Sequence, residues 1–95
     1  MPVSNGEKDC RYSKTIRNRI ARNVGHLNTV KKMMDDSAEF SDIMMQLAAV
    51  RASLTSTANK LMAEQINLAL QEAAETGDTT CVTEVYHNVE KYFGK

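Results

Sequence analysis

The chain has 95 residues, a formal net charge of zero, two cysteines and no tryptophan. This length allows one domain with a modest core of its own, so we expect several copies of the chain to assemble. No apolar run reaches the roughly 18 residues of a membrane span, and the N-terminus lacks the apolar segment of a signal peptide, which predicts a cytoplasmic protein without a membrane partner.

Residues 1–12 are polar and show no hydrophobic period, and we interpret them as a flexible N-terminal tail before a helical domain of residues 13–95. The first predicted helix covers residues 13–35, with Ser13 as its N-cap and apolar residues at spacings of three and four. Its polar residues, Asn23 among them, are assigned to the other faces. The apolar face consists of Ile16, Ile20, Val24, Leu27, Val30 and Met34.

A break follows, at which Asp36 with Glu39 three residues later resembles a capping box and predicts the start of the next helix. Residues 38–75 contain neither Pro nor Gly and predict one long central helix of about 55 Å at 1.5 Å per residue. A helix of that length needs an antiparallel partner from another subunit to cover its apolar seam. Gly77 predicts its end, and a short amphipathic third helix follows. The pattern therefore predicts an all-α subunit of three helices.

Charge is distributed unevenly along these elements. Residues 1–32 hold eight Lys or Arg and two acidic residues, whereas residues 33–95 hold four Lys or Arg and ten acidic residues. A balance of +6 followed by −6 is typical of a protein whose basic end meets a polyanion such as DNA or RNA. The alternative interpretation is a basic helix face that is simply solvated.

Four short sequence motifs follow one another along the first two predicted helices. They are Arg19-Ile-Ala-Arg22-Asn-Val-Gly25-His26-Leu27, Lys32-Met-Met34, Gln46-Leu-Ala-Ala-Val50-Arg51 and, more weakly, Asn59-Lys-Leu-Met-Ala-Glu64. In order and spacing they resemble the CsoR/RcnR family of bacterial transcriptional repressors, over about residues 13–93. The resemblance implies an antiparallel four-helix-bundle dimer, a disc-shaped homotetramer made of two dimers, and operator DNA as the partner.

The resemblance also implies which residues contact DNA. Arg19 and Arg22 match basic positions of the family's first helix, and Arg51 matches a basic position of its second helix. Guanidinium groups suit phosphate and guanine because they offer paired N–H donors. For His26 we expect a hydrogen bond to DNA or to a neighbouring helix, since no second metal ligand stands four residues later. Sequence-independent attraction is expected from Lys14, Arg17, Lys31 and Lys32.

The effector positions depart from the family pattern. Metal-sensing members place a Cys at the start of the second helix, then a His, then a His or Cys four residues later. The aligned residues in this chain are Phe40, Gln65 and Ala69. Neither Phe nor Ala offers a donor atom, and an amide is a poor ligand for copper or nickel. We therefore expect no metal and no cofactor at this site, and an effector site that is non-standard or absent.

Two alternative functions stay open at this stage. Cys10 and Cys81 are expected to be free thiols in a reducing cytosol, yet a thiol at the start of the third helix can have a lowered pKa, which would suit a redox or electrophile sensor. Formaldehyde-sensing members use an N-terminal Pro and a Cys; this chain has Pro2 but carries Phe40 in place of the Cys.

The second alternative is a helical assembly subunit that kept the fold and lost operator binding, with a paralogous subunit as its partner. Catalysis is not among the predicted functions. The sequence has no phosphate-binding loop and no nucleophile elbow, so it predicts a protein that is not an enzyme.

Overall fold

The structure, a computed structural model, describes residues 11–94 and the side chains of residues 11–92. It contains three α-helices, α1 (Lys14–Asp35), α2 (Phe40–Thr76) and α3 (Thr80–Val89), and a π-helical turn at Glu90–Gly94. Within residues 11–94 no strand is present, which confirms the predicted all-α fold of three helices with a long central one. Cys10, Pro2 and most of the predicted tail lie outside the described residues.

The chain divides into two compact units. The first unit ends at Ala58 and contains α1 with the N-terminal part of α2. The second unit begins at Asn59 and contains the C-terminal part of α2 with α3. No helix in the part that the structure describes has both the length and the apolar character needed to cross a membrane.

The start of α1 is as predicted, but the predicted start of α2 is wrong. The Ser13 hydroxyl accepts a hydrogen bond from the Ile16 amide at 3.2 Å. At the other end of α1, Ser37 adopts a positive φ of 61°. The Ser37 amide donates to the Met34 carbonyl at 3.0 Å, and the Ala38 amide donates to the Met33 carbonyl at 2.9 Å.

This hydrogen-bond pattern is a Schellman motif, with Ser37 in the position that Gly usually takes. Asp36 is therefore the C-cap of α1 and not the N-cap of α2, and its carboxylate accepts from Lys32 Nζ at 3.1 Å. The left-handed turn moves the first residue of α2 to Phe40.

The end of α2 follows the prediction from Gly77. This residue has φ of 77°, and its amide donates to the Ala73 carbonyl at 2.9 Å. Asp78 lies just before α3, whose N-cap is Thr79, and one of its carboxylate oxygens accepts from both the amide and the hydroxyl of Thr80, at 2.9 and 2.6 Å. These two hydrogen bonds stabilise the charged form and lower the pKa of Asp78.

The first unit has a small core that mixes apolar and polar side chains. Ile16, Val30 and Val50 are buried, and so are Asn23, which is 4% exposed, and Thr57, which is 2% exposed. The prediction that Asn23 lies on an outer polar face is therefore wrong, because α2 covers the side of α1 that carries it. Among the residues that the structure describes, the buried Asn23 Nδ2 has no hydrogen-bond partner.

The residues of the predicted apolar face of α1 differ in burial. Ile16 and Val30 are buried within the chain, whereas four other members of the face are between 44% and 53% exposed. We call these four residues the α1 stripe. They are Ile20, Val24, Leu27 and Met34.

The second unit is built from apolar contacts between α2 and α3. Among the side chains that the structure describes in this unit, Ala69 is buried, and the two helices border an open hollow of about 190 Å³. The hollow is lined by Ile66, Ala69 and Leu70 from α2 and by Val82, Val85, Tyr86 and Val89 from α3.

Candidate nucleic-acid interface

The basic residues of α1 fall into two groups. At the C-terminal end, Lys31 and Lys32 form exposed ion pairs with Asp35 and Asp36, at 3.0 and 3.1 Å, each across one helical turn. Exposed pairs of this kind add little stability. They do cancel positive charge locally, so this end of α1 attracts a polyanion less than the sequence suggested.

The N-terminal half of α1 keeps its positive charge. Lys14 and Arg22 are exposed, and within the described residues neither makes a hydrogen bond or an ion pair. Arg17 is also exposed, and its Nε donates to the carbonyl oxygen of Tyr12 at 3.3 Å, which leaves its charge uncompensated. The first acidic residue of the helix is Asp35. This half of the helix therefore carries a positive potential with no acidic neighbour on its own element.

Arg19 is held against α2. Its Nη2 donates to Ser56 Oγ at 2.9 Å, and its Nε donates to Thr57 Oγ1 at 3.3 Å. The side chain is half-buried as a result. Sequence reasoning missed both hydroxyl residues, because partners 37 and 38 residues away leave no signal in helical periodicity.

His26 makes the hydrogen bond to a neighbouring helix that was one of its two predicted roles. Its Nε2 lies 2.7 Å from Gln46 Oε1 on α2. Arg19, Arg22 and His26 stand at i, i+3 and i+7 and share one side of α1. Two of the three are tied to α2, and Arg22 between them is free to meet a ligand.

Arg51 is exposed on α2, but a single subunit does not bring it beside the arginines of α1. It is five residues from Gln46 and five from Ser56, the residues that bond to α1. At about 100° per residue, Arg51 lies about 140° around α2 from each of them. A surface that combines Arg51 with Arg19 and Arg22 therefore needs more than one chain.

The three aligned effector positions have different surroundings. Phe40 is the first residue of α2 and is 77% exposed, Gln65 is half-buried, and Ala69 is buried and lines the apolar hollow. Among the residues that the structure describes, no group of three or more His, Cys, Asp or Glu side chains is placed to hold a metal ion.

The Cys81 thiol does not show the lowered pKa considered for the start of α3. A hydrogen bond to Glu72 raises its pKa, and burial and the negative charges of Glu72, Glu84 and Asp78 act in the same direction. The uncharged thiol is therefore favoured, whereas a reactive cysteine needs the thiolate.

The relationship to known proteins rests on one finding. No curated protein and no solved structure matches the chain at a significant level. A family model described as metal-sensitive transcriptional repressor matches residues 12–94, which include all three helices. That family consists of repressors and not of enzymes. Helix order, basic first helix and family match agree, and the chain belongs to the family of metal-sensitive transcriptional repressors.

Proposed function

We propose that this chain is a cytoplasmic repressor that binds operator DNA through the N-terminal half of α1. The observation that carries the proposal is the exposed, uncompensated charge of Lys14, Arg17 and Arg22 on a helix whose first acidic residue is Asp35. The Arg22 guanidinium, which makes no hydrogen bond within residues 11–94, can donate paired N–H groups to phosphate oxygens. Lys31 and Lys32 contribute less, because each already pairs with an aspartate.

The binding form is a homo-oligomer, in which pairs of subunits form a four-helix bundle and two pairs form a tetramer. The α1 stripe supports this, because it places four half-exposed apolar side chains on one side of a charged helix. Rows of this kind mark interaction surfaces in proteins of this size. Assembly also supplies the second chain that is needed to bring Arg51 near the arginines of α1.

The signal is not copper, nickel or cobalt at the family's usual position. The side chains at the three aligned effector positions do not have the donor atoms that such a metal needs. Phe40 is a hydrocarbon on the surface, and Ala69 lines a hollow whose walls are apolar. Gln65 adds only an amide, which does not hold soft or borderline metals. The repressor therefore responds to a different effector or acts without one.

The metal-site proposal has a direct test. Adding copper(I), nickel(II) or cobalt(II) to the protein–DNA complex is expected to leave the affinity for DNA unchanged. A metal-dependent release of DNA at stoichiometric metal would contradict this part of the proposal.

The DNA-binding proposal is tested by fluorescence anisotropy with the DNA upstream of the protein's own gene, titrated between about 50 and 200 mM salt. The logarithm of the association constant is expected to fall linearly with the logarithm of salt concentration, with a slope of about −0.9 for each phosphate contacted. An assembled protein that does not bind this DNA, or binds it independently of salt, would contradict the proposal. That outcome would favour a subunit that kept only its role in assembly.

A further inference from the structure

Two hydroxyl groups of α2 accept hydrogen bonds from one edge of the Arg19 guanidinium. The Nε–H and an Nη2–H of an arginine point in parallel from the same edge of the group. Ser56 and Thr57, consecutive on α2, accept from these two positions at 2.9 and 3.3 Å. The long Arg19 side chain would otherwise rotate freely. These two hydrogen bonds fix the orientation of its guanidinium relative to α2.

The Thr57 hydroxyl is itself fixed in orientation. It donates to the Ser53 carbonyl at 2.9 Å, and Thr57 is only 2% exposed. A hydroxyl has one hydrogen, so once it donates to Ser53 its oxygen can only accept from Arg19. The contact therefore has a fixed direction, and its acceptor lies on a buried residue.

Arginine has five N–H donors, and these contacts use two of them. The three that remain are both hydrogens of Nη1 and the second hydrogen of Nη2. One hydrogen of each nitrogen points away from the side chain, at the far end of the guanidinium. This end is the part that donates two parallel hydrogen bonds to a phosphate. Its orientation is set before any ligand arrives.

We infer that Ser56 and Thr57 are positioning residues that orient Arg19 for a DNA phosphate. The inference rests on the proposed function and adds to it two residues that carry no charge. Arg22, one turn further along α1, makes no hydrogen bond or ion pair with residues 11–94 and adapts to the DNA, whereas Arg19 presents a fixed pair of donors. A fixed donor pair loses less conformational freedom on binding than a mobile one.

A double-mutant cycle on DNA affinity tests the inference. Thr57→Val keeps the shape of the side chain and removes the acceptor, and it is measured with Arg19 present and with Arg19→Ala. With Arg19 present we expect affinity to fall about fivefold, the equivalent of one hydrogen bond. In the Arg19→Ala background the same substitution is expected to change nothing. Ser56→Ala serves as a second, less buried variant.

The salt slope separates positioning from a purely structural role. Arg19→Ala is expected to reduce the magnitude of the slope by about 0.9, one phosphate contact, and Thr57→Val to move it in the same direction. Thr57→Ser, which keeps the hydroxyl, is expected to retain the wild-type affinity and slope. Thr55→Val is the matched control, because Thr55 is exposed on the same helix and makes no contact with Arg19.

The outcomes distinguish the inference from the function on which it rests. A wild-type chain that fails to bind DNA overturns both. A wild-type chain that binds, combined with equal losses on Thr57→Val in both Arg19 backgrounds or with no loss in either, overturns the positioning role alone. Circular dichroism of each variant shows whether its helices have formed.

Discussion

The two units of this chain hold their helices together by different chemistry. In the first unit, Arg19 and His26 of α1 reach across to hydroxyl and amide groups of α2, beside a few buried apolar residues. In the second unit, α2 and α3 meet around a hollow lined by aliphatic side chains and Tyr86. Charge follows the same division, because residues 1–58 hold nine basic and six acidic residues and residues 59–95 hold three and six.

The difference indicates a division of labour within a short chain. Hydrogen bonds are directional, so polar contacts between helices fix the orientation of the long side chains that make them. Apolar contacts bury surface without fixing such orientation. The first unit is therefore suited to present arginines in defined positions, and the second to pack against other apolar surfaces.

The largest expected effect comes from placing a charge on the apolar surface of the first unit. Leu27→Glu puts a carboxylate into the α1 stripe, where burial against a second copy would cost roughly 2 to 5 kcal/mol. We expect the assembly to dissociate, as measured by sedimentation velocity at fixed protein concentration. Thr29→Glu is the control, because Thr29 is exposed on the opposite side of α1. Wild-type mass for Leu27→Glu would show that the stripe is not the interface.

The next largest effect is expected on DNA affinity, when one exposed basic residue of each unit is replaced by alanine. Arg22→Ala is expected to weaken DNA binding about tenfold, since a charge-assisted hydrogen bond is lost, and to reduce the salt slope by about one. Lys60→Ala removes an exposed positive charge from the second unit, and we expect less than about a twofold change. Anisotropy titrations measure both. Equal losses for the two variants would mean that binding does not depend on the first unit in particular.

A smaller effect is expected from the buried amide of the first unit. Asn23→Leu keeps the branching of the side chain and removes an Nδ2 group that finds no acceptor among the described residues. The free energy of unfolding is expected to rise by about 1 kcal/mol in urea denaturation. Asn28→Leu, at an exposed position of the same helix, should change it by less than about 0.5 kcal/mol. A clear loss of stability for Asn23→Leu would indicate that the assembled protein supplies the acceptor.

The smallest effect concerns the thiol of the second unit. Because Glu72 raises the pKa of Cys81, the thiolate fraction at a given pH is reduced, and alkylation accelerates only at higher pH. In a Cys10→Ser background, Glu72→Gln is expected to move the rate profile of iodoacetamide alkylation to lower pH and to speed the reaction about twofold or more near pH 8. Glu75→Gln is the control. An unchanged profile for Glu72→Gln would contradict the assigned cause.

The features that sequence predicts well in this chain are local ones. Ser13 and Gly77 mark helix ends because capping and left-handed turns depend on a few neighbouring residues. The end of α1 was harder to predict from the sequence, because Ser37 adopts a left-handed conformation that is usually marked by a Gly. The capping box predicted at Asp36 was wrong for that reason.

Tertiary contacts account for the rest of what could not be predicted. Periodicity groups Ile20, Val24 and Leu27 with Ile16, but it does not say which of them face a neighbour in the same chain. The charge pattern located the basic helix, yet it treated Lys31 and Lys14 alike, although Lys31 pairs with Asp35 and Lys14 has no such partner among residues 11–94. The contacts of Arg19 depend on how α1 lies on α2, which no local pattern encodes.

Amide hydrogen exchange with and without the upstream DNA tests the central claim most directly, because it reports on each helix of the wild-type protein. We predict that DNA protects α1, most strongly between Lys14 and Arg22, and leaves α3 at Thr80–Val89 unchanged. Protection confined to α3, or an α1 that exchanges equally fast with and without DNA, would contradict the assignment of the first unit as the surface that meets DNA.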